Sequence, residues 1–175
     1  MAKTKWNLDP THSELGFKVK HMMITNVSGS FGSFNANVET EDDDFSTANI
    51  EFTIDVASIN TGNEQRDGHL KSGDFFDVEN HPQMKFVSTG VAKKGDNEFE
   101  ISGDLSLHGV TKPVTFKAEN GGSGKDPWGN HKTGFTLEGK IKRTDFGLNW
   151  NAALEAGGVL VSEDVKINGE LQLTR

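Results

Sequence analysis

The stretch from Ala48 to Val56 reads A-N-I-E-F-T-I-D-V, in which apolar and polar side chains alternate strictly. Successive side chains of a β-strand point to opposite faces, so this stretch predicts a strand with one buried and one wetted face. Runs with the same period of two recur along most of the chain, with turn residues between them. Their inward faces carry Leu15, Phe17, Val19 and His21; Phe34, Ala36 and Val38; Met84 and Phe86; Phe99, Ile101, Gly103, Leu105 and Leu107; Val114, Phe116 and Ala118; Phe135, Leu137 and Ile141; and Val165, Ile167, Leu171 and Leu173.

About eight such runs predict an all-β fold that closes into a barrel, because closure leaves no unpaired sheet edge. We expect a single extended eight-stranded antiparallel barrel, formed by one domain over residues 1–175; the pattern leaves a β-sandwich open as an alternative. The interior of an eight-stranded barrel is filled by side chains or holds one small ligand. Small inward-facing residues are expected to leave room for a ligand, namely Ala36, Gly103, Ala118 and Gly139.

The segment from Thr61 to Pro82, T-G-N-E-Q-R-D-G-H-L-K-S-G-D-F-F-D-V-E-N-H-P, departs from this alternation. Thr61 and Glu64 have the spacing of a capping box, which predicts one short helix over about residues 62–72. A charged helix followed by the Phe75-Phe76 pair is unusual in an all-strand pattern. We therefore expect this insert to cover one end of the barrel as a lid.

The composition restricts the partners of the protein. With 18 basic and 26 acidic residues the formal net charge is -8, so we expect no binding to nucleic acid and no charge-driven attachment to anionic lipid. The lack of a long apolar run predicts no stable membrane insertion. Cysteine is absent, which excludes disulfides, thiol catalysis and zinc–thiolate sites. Twelve Phe, three Trp and no Tyr favour an apolar interior, because a buried Tyr hydroxyl needs a partner. Composition alone slightly favours a filled core over a ligand cavity.

The start of the chain, from Met1 to Trp6, is basic and leads into polar residues without an apolar run. This pattern lacks the features of a signal peptide or a transmembrane segment, so we expect a cytoplasmic protein. The expectation changes to an exported protein if a leader has been removed.

Common catalytic and metal-binding motifs are not matched. Gly134 to Lys140 fits G-x-x-x-x-G-K, but Ile141 stands where a phosphate loop needs Ser or Thr. The chain contains neither G-x-S-x-G nor H-E-x-x-H. The six His are not spaced to share one face of a helix. We therefore predict no metal site and no cofactor other than a bound isoprenoid or other lipid.

A few polar residues remain as candidates. Arg66, Asp67 and His69 predict either a salt bridge with a helix cap or a binding site, and the first interpretation is favoured. Together with Asp145 they define an enzyme alternative, in which a lipid derivative is modified. His21 lies on an inward face, where a lone histidine is more often a satisfied core residue than a ligand contact.

Two local structures are expected in the last third of the chain. Arg143 to Gly147, R-T-D-F-G, predicts an ion pair between Arg143 and Asp145 followed by a Phe-Gly turn. This pair would close the barrel end or bridge to the insert. Ala152 to Ala156 predicts a second short helical turn.

Short motifs occur along the chain in a specific order. They are W-x-L-D-x-x-H-S from Trp6 to Ser13, F-x-V-x-H from Phe17 to His21, G-x-F from Gly29 to Phe31, S-I-x-T-G from Ser58 to Gly62, R-D-x-H-L from Arg66 to Leu70, D-F-F from Asp74 to Phe76, L-x-L-H-G-V-T-K-P-V from Leu105 to Val114 and R-T-D-F-G from Arg143 to Gly147. By these motifs the chain resembles the YceI-like polyisoprenoid-binding family over nearly its whole length. The resemblance implies a lipocalin-like barrel with an elongated apolar pocket for an isoprenoid chain or similar lipid, often in a homodimer.

We therefore expect a non-catalytic protein that sequesters or carries an amphiphilic lipid, most simply a polyprenyl chain or an isoprenoid quinone. A polar head group is expected to meet His21, or Arg66 with His69. The alternatives are the enzyme described above and a protein-interaction barrel with a filled core. The expected ligand-binding residues are Phe17, Val19, His21, Phe34, Phe52, Ile54, Arg66, His69, Phe75, Phe76, Phe86, Leu105, Leu107, Phe116 and Phe135.

Overall fold

The computed structural model describes residues 2–151 and 160–175. The helical turn predicted at Ala152 to Ala156 lies outside the described residues. The described part contains one α-helix, α1 (Glu64–Lys71), and short 3-10 turns at Pro10–His12, Val56–Ser58 and Arg143–Phe146. The strands are β1 (Lys3–Leu8), β2 (Glu14–His21), β3 (Thr25–Phe31), β4 (Phe34–Glu41), β5 (Asp44–Asp55), β6 (Ile59–Asn60), β7 (Gln83–Lys93), β8 (Glu98–Leu107), β9 (Val110–Lys125), β10 (His131–Lys142) and β11 (Val161–Thr174).

The first six of these strands are halves of three long strands. β1 continues as β2 after Pro10–His12, β3 continues as β4 after Gly32 and Ser33, and β5 continues as β6 after Val56–Ser58. Pro10 explains the first break, because proline has no backbone N–H to donate to a sheet ladder. Asp9 caps that turn by accepting a hydrogen bond from the Thr11 amide at 3.1 Å. With each broken pair counted as one strand, the sheet has about eight long strands.

The sheet closes on itself. Each long strand pairs antiparallel with its neighbour in sequence, and β11 pairs with both halves of the first strand. In β11, residues from Val161 to Glu170 pair with β2, and Leu173 and Thr174 pair with β1. The predicted closed eight-stranded antiparallel barrel is confirmed. The β-sandwich alternative is wrong, since the interior lies inside a single continuous sheet.

The helix of the insert is confirmed at Glu64–Lys71, close to the predicted residues 62–72. Its predicted capping box is wrong. Asn63 is the N-cap and accepts a hydrogen bond from the Arg66 amide at 3.0 Å. The Thr61 hydroxyl instead donates to the Asp67 carboxylate at 2.5 Å, and the Thr61 amide donates to the same oxygen at 2.9 Å. These bonds hold the chain that enters the helix against its first turn.

The barrel end opposite the helix is closed by aromatic rings. Trp6 is buried and its indole N–H donates to the Thr40 hydroxyl at 3.1 Å. The Phe45 ring lies between Trp6 and Phe135, with ring centroids 5.1 Å and 4.8 Å away. Edge-on and tilted contacts of this kind fill space without leaving polar groups unpaired. The open space of the barrel therefore lies towards the helical end.

Candidate functional site

The barrel encloses an apolar cavity of about 140 Å³, whose wall exposes no polar atoms. Its lining residues along β8 run from Ile101 to Leu107, a distance of roughly 20 Å at the usual rise of a β-strand. The cavity is therefore elongated parallel to the strands. It runs from the middle of the barrel towards α1.

Most of the aromatic and aliphatic residues predicted from the strand phase lie on the cavity wall. They are Phe17, Val19, Phe52, Ile54, Phe75, Phe76, Phe86, Leu105, Leu107 and Phe116. Two other predicted residues pack elsewhere in the core. Phe34 lies beside the main core cluster and is not among the lining residues, and Phe135 packs on Phe45 and Phe99 at the opposite barrel end.

The sequence analysis omitted several lining residues. Leu15, Ile50, Met84, Ile101, Leu137, Ile141, Val165 and Ile167 lie on the wall, and the alternation already marked each of them as inward. Phe31, Leu70, Leu148, Val161, Gly16 and Arg143 also line it. These six lie at strand ends, on the helix or on the outward phase, so the alternation alone does not single them out.

The insert covers the cavity as predicted for a lid. Leu70 of α1 and the following Phe75 and Phe76 lie on the cavity wall, and Phe75 is buried. The ring of Phe76 meets the ring of Phe31 edge-on at a centroid distance of 6.3 Å. Within the described residues, the side chains of Leu70, Phe75 and Phe76 make apolar contacts over the cavity. Apolar contacts are not directional, so the lid can separate from the wall without leaving unpaired polar groups.

The small inward residues do not line the cavity, contrary to expectation. A Cβ placed on Gly139 overlaps the ring of Phe116, its cross-strand partner, and a Cβ on Gly103 lies 2.5 Å from Cζ of Phe86. Each glycine is thus covered by a phenylalanine ring that uses the space of the missing side chain. Ala36 and Ala118 are packed in the core cluster. Both rings also line the cavity, so the two glycines help to set the position of the cavity wall.

Substitution of Gly139 by alanine is expected to weaken lipid binding at least tenfold. The added methyl group overlaps the Phe116 ring, which lines the cavity, and we expect the displaced ring to enter the cavity. Such overpacking lowers the free energy of unfolding by about 1–3 kcal/mol. Gly134→Ala on the same strand is the matched control, because a Cβ there makes only an ordinary contact of 3.8 Å with the Leu171 carbonyl. Titration with an isoprenoid alcohol, followed by native mass spectrometry, measures both variants; equal affinities would contradict the interpretation.

Arg143 contributes its aliphatic stem to the wall while its guanidinium points away from the cavity. The guanidinium donates to the carbonyl oxygens of Leu148 at 2.6 Å, Ser162 at 2.8 Å, Trp150 at 3.0 Å and Val161 at 3.1 Å. Burial lowers the pKa of Arg143, and the charge of the nearby Glu163 opposes this effect. The side chain stays protonated because its ordinary pKa is so high.

The predicted ion pair of Arg143 with Asp145 is therefore wrong. Among the described residues, the guanidinium donates to backbone carbonyls and not to Asp145, which is exposed. Arg143 nonetheless closes the barrel end. This was one of the two roles expected for it, the other being a bridge to the insert. Arg143 closes the end by joining the chain after β10 to the start of β11.

The polar residues of the insert do not face the cavity. Arg66 donates to the hydroxyl and the carbonyl of Thr61, both at 2.7 Å. His69 shares a hydrogen bond of 2.9 Å with the Asp74 carboxylate, and its ring meets Trp150 edge-on at 4.9 Å. These contacts are local and agree with a structural role in holding the helix, but the cap is Asn63 and, in the described part of the chain, Arg66 forms no salt bridge with Asp67. Arg66 and Asp67 both bond to the Thr61 hydroxyl, whereas His69 bonds to Asp74.

His21 lies next to the cavity but not on its wall. It is half-buried and pairs in register with Val161, which lines the cavity, and it follows the lining residue Val19 by two positions on β2. Of the three predicted head-group contacts, His21, Arg66 and His69, His21 is therefore the one placed beside the cavity.

These features define a closed up-and-down β-barrel with an apolar cavity under a helical lid. The chain belongs to the YceI-like family, since the model of the YceI-like domain matches residues 6–173. UPF0312 protein SAS2572 from Staphylococcus aureus is 41% identical over 172 residues, which cover 98% of each chain. Among the described residues, no helix has the length and apolar character needed to cross a membrane.

Solved structures share the fold. The YceI protein of Campylobacter jejuni is 34% identical, with a TM-score of 0.78 and 96% of each chain covered. BcnA from Burkholderia cenocepacia is 25% identical, with a TM-score of 0.82 over 94% of this chain and 98% of that one. A polyisoprenoid-binding domain from Saccharophagus degradans has a TM-score of 0.67 at 18% identity, covering 96% of this chain and 97% of that one.

Proposed function

We propose that the protein binds an amphiphilic lipid of the isoprenoid class in the barrel cavity and sequesters or carries it. The observation that carries the proposal is the elongated cavity with a wall free of polar atoms. Each buried methylene group contributes about 0.8 kcal/mol to binding. A hydrocarbon tail therefore binds there without polar contacts.

The apolar wall favours a lipid whose buried part is uncharged over one that would bury an anionic group. Arg143 is the one charged residue among the described residues that line the cavity, and its guanidinium already donates to four backbone carbonyls. A buried carboxylate without a partner is strongly unfavourable. We propose that the head group of the lipid stays at the cavity end near His21. The description of the Saccharophagus degradans relative as a polyisoprenoid-binding domain supports the isoprenoid class.

The size of the cavity sets a condition on loading. A volume of about 140 Å³ is close to that of engineered cavities of about 150 Å³ that take up a single benzene molecule. A long isoprenoid chain therefore requires the lid or the wall rings to move. We propose that Leu70, Phe75 and Phe76 move away from the wall as the lipid enters, because their contacts with it are apolar.

The test is extraction of the purified protein with organic solvent, followed by mass spectrometry of the extract. We expect one lipid per chain, or one-to-one uptake of an added isoprenoid quinone or prenyl phosphate by lipid-free protein. Geranylgeraniol and a straight-chain alcohol of similar length form a matched pair that tests the preference for a branched chain. Empty extracts from several hosts, together with no uptake of any added isoprenoid, would contradict the proposal.

We propose further that the role is non-catalytic, since the polar residues of the enzyme alternative do not converge on the cavity. His69→Gln checks this point: the variant is expected to bind lipid normally, and unchanged lipid should be recovered from both proteins. Formation of a homodimer and cytoplasmic location stay predictions. Light scattering measures the first, and cell fractionation measures the second.

A further inference from the structure

Three side chains that commonly bind metal ions meet at the lid end of the barrel. Asp77 and His81 follow α1 in the insert, and His108 lies in the turn between β8 and β9. One ligand atom from each residue lies within 4.8 Å of the other two, and all three residues are half-buried. The two imidazole rings meet edge-on with centroids 4.9 Å apart. Asp77 and His81 are four residues apart but His108 is distant in sequence, so the spacing of the histidines along the chain does not reveal the group.

His108 lies in a tight turn beside the insert. His108 and Gly109 have φ angles of 55° and 76° and form the two-residue turn between β8 and β9. Turns of this type favour Asn or Asp before the Gly, and His is among the residues that adopt this left-handed conformation more readily than most. The turn therefore places the ring of His108 next to His81.

The hydrogen bond of His108 leaves the other ring nitrogen free for a metal. Nδ1 of His108 lies 3.2 Å from the carbonyl oxygen of Phe146. A carbonyl oxygen only accepts, so Nδ1 carries the proton and Nε2 presents a lone pair. Histidines that bind metals are typically oriented by such a bond from the second nitrogen to a carbonyl or carboxylate.

The other two groups are held in place by local bonds. The His81 amide donates to the Asp77 carbonyl at 2.9 Å, which keeps both residues in one tight turn. Asn80 donates to one carboxylate oxygen of Asp77, also at 2.9 Å. The ring of His81 lies against Gly109, where an added Cβ would come within 2.9 Å of Cε1. Glycine at this position therefore makes room for the His81 ring beside His108.

We propose that Asp77, His81 and His108 bind a divalent transition-metal ion, with Zn²⁺ as the leading candidate. Two imidazoles and one carboxylate suit Zn²⁺, and partial exposure leaves a further position for water. Tetrahedral Zn²⁺ with bonds of about 2.0–2.2 Å separates its ligands by roughly 3.4 Å. The ligand atoms lie within 4.8 Å of one another, so metal binding requires them to approach by at most about 1.4 Å. A bound ion ties the insert to the β8–β9 turn and so fastens the lid to the barrel wall.

The experiment is titration of the chelator-treated, lipid-free protein with ZnCl₂ in a calorimeter, alongside His108→Asn. Asparagine is favoured in this turn, so the variant keeps the hairpin while it removes the imidazole and its contacts. We expect one Zn²⁺ per chain for the wild type, an increase in its thermal midpoint with Zn²⁺, and at least tenfold weaker binding by the variant. His81→Gln is expected to lose binding to a similar degree.

His131→Asn is the matched control, because His131 is half-buried at the start of β10, at the barrel end away from α1. Its Zn²⁺ affinity should equal that of the wild type. Circular dichroism verifies that each variant is folded. Absence of one-to-one binding by the wild type, or equal affinity in folded His108→Asn, would overturn the proposal. Neither result depends on lipid binding, so the lipid proposal is tested separately.

Discussion

Replacing Leu105 with tryptophan is expected to weaken the binding of an isoprenoid lipid by about a thousandfold while the barrel remains folded. Leu105 is buried on β8 and lies on the cavity wall beside Phe86, its cross-strand partner. The larger ring fills the space that one isoprene unit would take. Exclusion of about five carbon atoms, at about 0.8 kcal/mol each, removes about 4 kcal/mol of binding free energy. Fluorescence or native mass-spectrometric titration with geranylgeraniol measures the loss.

Lys18→Trp is the control for this substitution. Lys18 is exposed on β2 and does not line the cavity, so the same new side chain on the outer surface should leave the affinity unchanged. Ile101→Phe is a milder way to fill the cavity if the tryptophan destabilises the core, since overpacking costs about 1–3 kcal/mol. Wild-type affinity in both folded cavity variants would show that the lipid binds outside the barrel.

Replacing Arg143 with methionine is expected to lower the free energy of unfolding by about 3–5 kcal/mol, because four carbonyl groups lose a charged donor. Methionine retains the apolar stem that contacts the cavity, so the loss reports on the hydrogen bonds. The side chain is only 4% exposed, and water does not easily replace it. Urea denaturation followed by tryptophan fluorescence measures the change.

Arg175→Met is the matched control for the loss of an arginine. Arg175 is more exposed, pairs with Asp43 at 2.8 Å and lies over the Trp6 ring at 5.6 Å. Exposed ion pairs of this kind contribute about 1 kcal/mol or less. Similar losses in the two variants would show that the carbonyl contacts of Arg143 do not stabilise the barrel end.

The face of the sheet on which each side chain lies was the most predictable property of this chain. The alternation in Ala48 to Val56 predicts that Phe52 and Ile54 point inward, and both lie on the cavity wall. It fails for Phe34 and Phe135, which also point inward but pack against other core residues. The pattern reports the face of the sheet on which a side chain lies. It does not report how far along the barrel the open space extends.

The helix of the insert was also predictable from its local sequence, but the hydrogen bonds at its start were not. Thr61 has the sequence spacing of a capping residue, yet it bonds to the Asp67 carboxylate, and Asn63 caps the helix. In either arrangement a side-chain oxygen accepts a hydrogen bond from a backbone N–H group of the first helical turn. The choice between them depends on how the entering chain packs on the barrel.

The sequence by itself determined the all-β class, the number of long strands, the inward faces and the position of the lid, because each follows from backbone geometry over a few neighbouring residues. Only the tertiary structure decided that Phe116 covers Gly139, that Arg143 bonds to carbonyls and that His108 meets Asp77 and His81. These contacts join residues far apart in sequence. Their formation depends on strand register and side-chain rotamers across the closed barrel, which no local pattern encodes.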